Sequence, residues 1–208
     1  SQATHTKWAG KTVHFAREID STNLWAKRAW KEGAQHGELF VSEYQSAGRG
    51  RFSRRWSAPP DSSVIMSILL CPEFSPVKAP MLTLVMGLSV AQAVADLGLD
   101  VGIKWPNDVV VSRKKICGIL TEMTMKQDKI GCAVIGVGIN VNMDSFPEEM
   151  ADKATSLYLE SGHTFDRAQV LGLVMRHFEK NYESFVQTED LGGLKADYEK
   201  LLANLDQP

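Results

Sequence analysis

Several residue classes that would place this chain quickly are scarce. Cysteine occurs three times, as Cys71, Cys117 and Cys132, far apart and among apolar neighbours. That excludes a disulfide framework and a thiolate metal site, and it fits reduced, buried thiols in a cytoplasmic protein. Five histidines (His5, His14, His36, His163 and His177) follow no ligand-like spacing, so neither a metal nor a base is drawn from them. An excess of one charge is also missing: the net charge is −2 over 208 residues, whereas a dedicated nucleic-acid binder needs a wide basic face. No apolar run is expected to span a membrane, and residues 1–7 lack the hydrophobic core of a signal peptide. Repeats, low-complexity tracts and interdomain linkers are absent. With 44% hydrophobic and 23% charged residues, the chain suits one globular domain.

Against this background one stretch stands out, Gln45-Ser46-Ala47-Gly48-Arg49-Gly50-Arg51-Phe52-Ser53-Arg54-Arg55-Trp56. Four arginines and two glycines fall within eight positions of it, between the strand-like runs 39–41 and 64–70. Glycine lets backbone N–H groups approach a ligand closely. Arginine adds a permanent charge and a planar fork of donors suited to carboxylate and phosphate oxygens. The stretch reads as an anion-holding loop, with a solvated basic run or a nucleic-acid patch as the alternatives.

Hydrophobic periodicity orders the rest. Alternation over Thr12–Ile19 predicts a strand with Val13 and Phe15 turned inward. Asp20-Ser21-Thr22-Asn23 then offers more hydrogen-bonding side chains than one cap needs, ahead of a helix over 24–32. Further strands are expected at 38–45, 61–71, 101–105, 109–111, 116–125 and 130–142, and helices at 81–97, 166–187 and 194–205. Gly136-Val137-Gly138 lies inside a β-branched strand and lacks the third glycine of a dinucleotide fingerprint. It points instead to a close approach of backbone or ligand.

Three islands, Gly48-Arg49-Gly50-Arg51, Lys104-Trp105-Pro106-Asn107-Asp108 and Lys115-Ile116-Cys117-Gly118-Ile119-Leu120, stand between Ser21-Thr22-Asn23 and Gly138-Ile139-Asn140-Val141-Asn142. In this order and spacing they resemble the catalytic domain of biotin protein ligases, over about residues 12–207. The resemblance implies an α/β (α+β) domain of the biotin–lipoate ligase, class II aminoacyl-tRNA synthetase-like fold. That fold is a mixed, largely antiparallel sheet with helices packed on one face and ligand on the other, under loops 46–56 and 112–117. It further implies an ATP- and Mg²⁺-dependent reaction in which biotin becomes biotinyl-5′-AMP and is passed to a lysine of a biotin carboxyl carrier domain.

Carried over by residue, the resemblance assigns Ser21, Thr22 and Gln45 to the ureido ring of biotin, with Asn23, Gly48, Arg49 and Gly118 also at biotin and Arg49 reaching the nucleotide as well. Arg51 and Lys115 would face the carboxylate and phosphoryl group. Arg54, Trp56, Lys104, Asn107, Asp108 and Asn140 would surround the nucleotide, with Asp108 also near the metal and a guess for the base. No protein-built metal site is implied, because Mg²⁺ arrives with ATP. The family usually has glycine where this chain has Ser53. No helix-turn-helix precedes Trp8, so DNA binding is not expected, and the family's small C-terminal SH3-like domain is expected to be absent after about residue 205. A homodimer is left open. A lipoate ligase or lipoyl transferase of the same fold is the nearest alternative, and a non-catalytic biotinyl-adenylate sensor is another.

Overall fold

Strand-forming and helix-forming segments alternate in the computed structural model, which describes residues 5–104 and 108–202, with Ser53 described by its backbone alone. The strands are β1 (Val13–Ile19), β2 (Leu39–Gln45), β3 (Ser63–Leu70), β4 (Val101–Lys104), β5 (Asp108–Val111), β6 (Lys114–Lys126) and β7 (Lys129–Asn140). The helices are α1 (Thr22–Lys31), α2 (Met81–Asp96), α3 (Glu148–Ala151), α4 (Leu157–Ser161), α5 (Arg167–Thr188) and α6 (Lys195–Leu202). One seven-stranded sheet runs in the order β1-β2-β3-β7-β6-β5-β4. Among the described strands only β1 and β2 pair in parallel; α1 makes the crossover between them, as a parallel pair requires. The remaining pairs are antiparallel.

The main core lies between the sheet and α2, α5 and α6. Met66, Ile68, Ile135, Val137 and Ile139 of the central strands meet Leu82, Met86, Val174 and Phe178 there. Pro76–Asp96 is long and apolar enough to cross a membrane by length and composition alone, but most of it is buried in this core. Burial between sheet and α5 explains its apolar character, since it must be hydrophobic nearly all round. Asn181 of α5 donates to Ser89 and Gln92 of α2 inside this layer.

Helix α1, which the expected one-faced packing did not place, covers part of the opposite face. Its Ala26 sits with Phe40, Leu69, Cys132 and Val134, a smaller cluster built from the alternate strand positions. The expected facing of β1 is reversed. Val13 and Phe15 are 39% and 58% exposed, while the His14 ring stacks on Phe40 at 4.6 Å. The edge strand β1 meets α1 through its other side, where Trp25 lies 6.2 Å from the His14 ring, so its apolar side stays wet.

The expected loop at 112–117 is instead a tight turn. Ser112 and Arg113 have φ of 50° and 65°, the left-handed pair of a two-residue hairpin, and β6 already begins at Lys114. From there β6 runs thirteen residues along β7.

Candidate functional site

The α1 face of the sheet is left open where β3, β7 and β6 carry small or polar residues. Helix α1 begins there. Ser21 is its N-cap, accepting from the Leu24 N–H at 3.4 Å, and Asp20 is held by Arg28 through two hydrogen bonds. With the cap supplied, Thr22 and Asn23 turn toward the sheet and are 3% and 4% exposed. Gln45, the last residue of β2, accepts from the Thr22 N–H at 2.8 Å through Oε1. Ser67 Oγ lies 2.7 Å from Thr22 Oγ1 and 2.6 Å from Asn23 Oδ1. Asn23 Nδ2 donates onward to the Leu120 carbonyl and to Glu122 Oε2, at 3.2 and 2.9 Å. These groups form a buried shelf of alternating donors and acceptors.

Two of its members, Ser67 and Glu122, were not foreseen. Ser67 is the one hydroxyl inside the apolar run Val64–Leu70, a signal open to notice. Glu122 sits between threonine and methionine in a hairpin strand and reads as a solvated position. In the fold, Lys27 and Arg49 stand 3.0 and 3.1 Å from its Oε1. Burial alone would raise its carboxyl, but the Asn23 amide and the two cations together hold it below the usual carboxylate range.

The arginine loop is pinned at its neck and exposed at its tip. Gly50 N–H donates to Arg54 O at 2.7 Å and Trp56 N–H to Gly48 O at 3.1 Å, around an Arg49–Arg55 bridge. Gly48 has no room for a Cβ, which would strike the Trp56 carbonyl and come within 2.9 Å of Gln45 Nε2. At the tip Phe52 is left-handed, with φ of 56°, and 83% exposed. Arg51 stacks on the Phe52 ring at 5.2 Å. It also lines a cleft of about 490 Å³ with Pro80, Thr83, Leu120 and Met123, between the start of α2 and β6.

Behind the loop, Trp56 lies against the sheet. Gly118 of β6 and Gly138 of β7 are paired in register, and a Cβ on either would run into the indole. Gly136 clears the same room for Asn23. The close approach expected at the Gly-Val-Gly segment is therefore met by the chain's own side chains. The buried Trp56 Nε1 has no hydrogen-bond partner among the described residues, at a cost of about 1–3 kcal/mol unless a ligand acceptor meets it.

Lys115 and Asp108, on neighbouring strands, form an ion pair of 2.9 Å. The Lys115 backbone is strapped by the next segment, donating to Lys153 O and accepting from Thr155 N–H. Asn140 turns to that strap, giving its amide to Thr155 O at 3.1 Å. Arg54 and Lys104 are exposed. Trp105, Pro106 and Asn107 lie outside the described residues. Lys115 is not among the residues lining the Arg51 cleft. Burial pushes the Cys117 thiol up to about 12, which leaves it a core residue.

Thus Thr22, Asn23 and Gln45 come together with Arg49 beside them, Gly118 meets Trp56, and Lys115 meets Asp108. Strand β6 carries Lys115, Gly118 and Glu122 along about 20–25 Å of its length, the scale of an elongated ligand.

The model of the biotin/lipoate A/B protein ligase family matches residues 15–140. The bifunctional ligase/repressor BirA of Bacillus spizizenii is 40% identical over 184 residues, 87% of this chain and 57% of that protein. The biotin–[acetyl-CoA-carboxylase] ligase of Paracoccus denitrificans is 30% identical over 200 residues, 91% of this chain and 80% of that one. The structure of the Aquifex aeolicus biotin protein ligase in complex with biotin and ATP superposes with a TM-score of 0.77 at 32% identity, covering 92% of this chain and 78% of that one. The chain thus spans little more than half the length of the Bacillus relative.

Proposed function

This chain belongs to the biotin/lipoate A/B protein ligase family, and on that premise we propose that it activates biotin with ATP and passes it to a lysine of a biotin carboxyl carrier domain. In the first step a biotin carboxylate oxygen attacks the α-phosphorus of ATP, forming biotinyl-5′-AMP and expelling pyrophosphate with its Mg²⁺. In the second, the neutral amine of a carrier lysine attacks the acyl carbon, the amide forms, AMP leaves with the bond electrons, and the amine's surplus proton passes to solvent. The chain's residues supply positioning and anion stabilisation.

The observation that carries this reading is the shelf of Thr22, Asn23, Gln45 and Ser67. A ureido ring has two N–H donors and a carbonyl, which buried hydroxyls and amides can match. A dithiolane has neither, so the same shelf favours biotin over lipoate. Ser21, next to it as the helix cap, and Gly48, beside Gln45 Nε2, close the ring's surroundings.

We assign Lys115, aimed by Asp108, and Arg51 to the junction of carboxylate and phosphate, the latter once the loop tip closes. Trp56 on its glycine bed divides the ring from the nucleotide, and its partnerless Nε1–H, packed over Gly138, meets a ligand acceptor once the indole shifts. Reduced thiols support a cytoplasmic setting.

Titration calorimetry with biotin and with lipoate, followed by ATP-dependent pyrophosphate release, tests the proposal. Binding of biotin alone with turnover is expected. Preference for lipoate would replace the substrate, and biotin binding without pyrophosphate release would make the chain a sensor.

A further inference from the structure

Glu122 has an unusual set of partners. Its Oε1 receives Lys27 Nζ from α1 and Arg49 Nη1 from the arginine loop, at 3.0 and 3.1 Å. Its Oε2 receives Asn23 Nδ2 at 2.9 Å. The side chain is 16% exposed, so these partners replace most of its water. We propose that Glu122 is a positioning residue that fixes the donor–acceptor direction of the shelf and latches the arginine loop onto it. The inference rests on the biotin reading and deepens it.

The direction follows from proton counting. An ionised carboxylate and a backbone carbonyl only accept. Because Glu122 Oε2 and Leu120 O both face Asn23, its amide must present Nδ2 to them and Oδ1 to Ser67. Oδ1 also only accepts, so the single Ser67 proton is committed to it at 2.6 Å. Ser67 Oγ must then accept from Thr22 Oγ1 at 2.7 Å, which takes the one Thr22 hydroxyl proton away from its longer contact with Gln45 Oε1 at 3.2 Å. Gln45 Oε1 keeps the Thr22 N–H at 2.8 Å, leaving Gln45 Nε2 as the outward donor. One carboxylate at the end of the row therefore sets every polarity along it, and the same carboxylate holds Arg49.

No isosteric neutral side chain can do both tasks. A glutamine at this position has one accepting and one donating end. If its oxygen faces the two cations, its NH₂ opposes Asn23 Nδ2. If it is turned, the NH₂ opposes the cations. Either way the Asn23 amide is driven to flip or the latch opens. A flip makes Nδ2 donate to Ser67, reverses the Thr22–Ser67 bond and presents the wrong pattern to a ureido ring.

The test compares the full chain with Glu122→Gln, Lys27→Met and Arg49→Met, reading biotin Kd by calorimetry, Tm without ligand, and KM for biotin and for ATP in pyrophosphate release. Glu122→Gln is expected to weaken biotin about tenfold to a hundredfold, raising KM for biotin while leaving KM for ATP within about threefold. Lys27→Met removes a cation but neither the shelf contact nor the latch, so biotin affinity should stay within about threefold whatever its Tm. Arg49→Met, in an exposed loop where folding is not at stake, should weaken biotin at least about fivefold. Biotin affinity of Glu122→Gln within threefold of the parent would overturn the proposal, as would an equal loss in Lys27→Met, which would mark a merely structural anchor of α1. An unchanged Arg49→Met would overturn the latch. If the parent chain itself does not bind biotin, the underlying reading falls and Glu122's role with it. If the parent binds and the variants behave alike, only Glu122's role falls.

Discussion

The Lys115 ammonium lies 2.9 Å from Asp108 Oδ1, with the two side chains 45% and 42% exposed. A pair this open to water contributes little to stability, about 0–1 kcal/mol. On the proposed reading the pair holds a cation in place for an anion still to come. Lys115→Ala is expected to reduce pyrophosphate release by about 10²–10³ with Tm changed by no more than a degree or two. Loss of Tm in step with activity would show a structural lysine instead.

The arginine loop has a fixed neck, at the Arg49–Arg55 bridge, and an exposed tip at Arg51 and Phe52. Arg51→Gly should leave biotin affinity nearly intact while letting the activated adenylate escape. Free biotinyl-adenylate, and indiscriminate labelling of lysines on added bystander protein, measure this directly. Adenylate retained as in the parent would count against a closing role. In hydrogen exchange, protection of residues 48–56 should rise with biotin and ATP together.

Gly118→Ala would place a Cβ 2.8 Å from the Trp56 ring. Overpacking of this kind costs about 1–3 kcal/mol and should push the indole off its bed, weakening ligand binding. Pairing it with Trp56→Ala checks the cause: the stability lost in Gly118→Ala should largely vanish when the indole is absent. Additive losses would place the damage in strand pairing.

Acid should weaken the fold through carboxylates lowered on folding, Glu43, Glu122 and Glu179 among them. The Arg167 guanidinium holds Glu43 below the usual range. For Glu122 and Glu179 burial works upward, yet hydrogen bonds and neighbouring cations prevail and both are lowered. A carboxyl lowered on folding stabilises fully above its unfolded value, 4.5, and that contribution disappears as pH falls through the lowered folded value. Tm should therefore be flat toward neutrality and drop below about pH 4.5. In Glu179→Gln the drop should be shallower, because one contributor is gone.

Glu179 also takes the backbone N–H groups of Lys7, Trp8 and Ala9, at 2.8 to 3.0 Å. Replacing its carboxylate leaves a weaker acceptor for three backbone donors, of which the Ala9 N–H is buried. A stability loss of about 1.5–3 kcal/mol is expected near neutral pH, with faster amide exchange confined to residues 7–9. Unchanged exchange there would refute the tie.

The segments legible in the sequence were those with long, regular patterns. Strands β2, β3, β6 and β7 and helices α2 and α5 begin and end within about two residues of the periodicity that marks them. The specific strings around Gly48 and Lys115 were equally plain. Facing at the sheet edge was not legible. Alternation in β1 shows that two sides differ, but not which side a helix will cover, and Phe15 ended in solvent. Glu122 was invisible for another reason. Its partners come from residues 23, 27 and 49, and a long-range cluster leaves no local trace. A basic turn was legible at Arg113-Lys114-Lys115, but not that it is a two-residue turn at Ser112-Arg113, because neither residue is glycine although both adopt the conformation glycine favours.

The pairing of β6 with β7 decides more than the sheet's shape. Gly118, Leu120 and Glu122 alternate with Cys117, Ile119 and Thr121 along one strand, so a hairpin that zips one residue out of step would bury the first set and expose the second. Such a mistake cannot yield a half-working molecule. Specific activity in any preparation should therefore count correctly zipped chains, not the average quality of all of them.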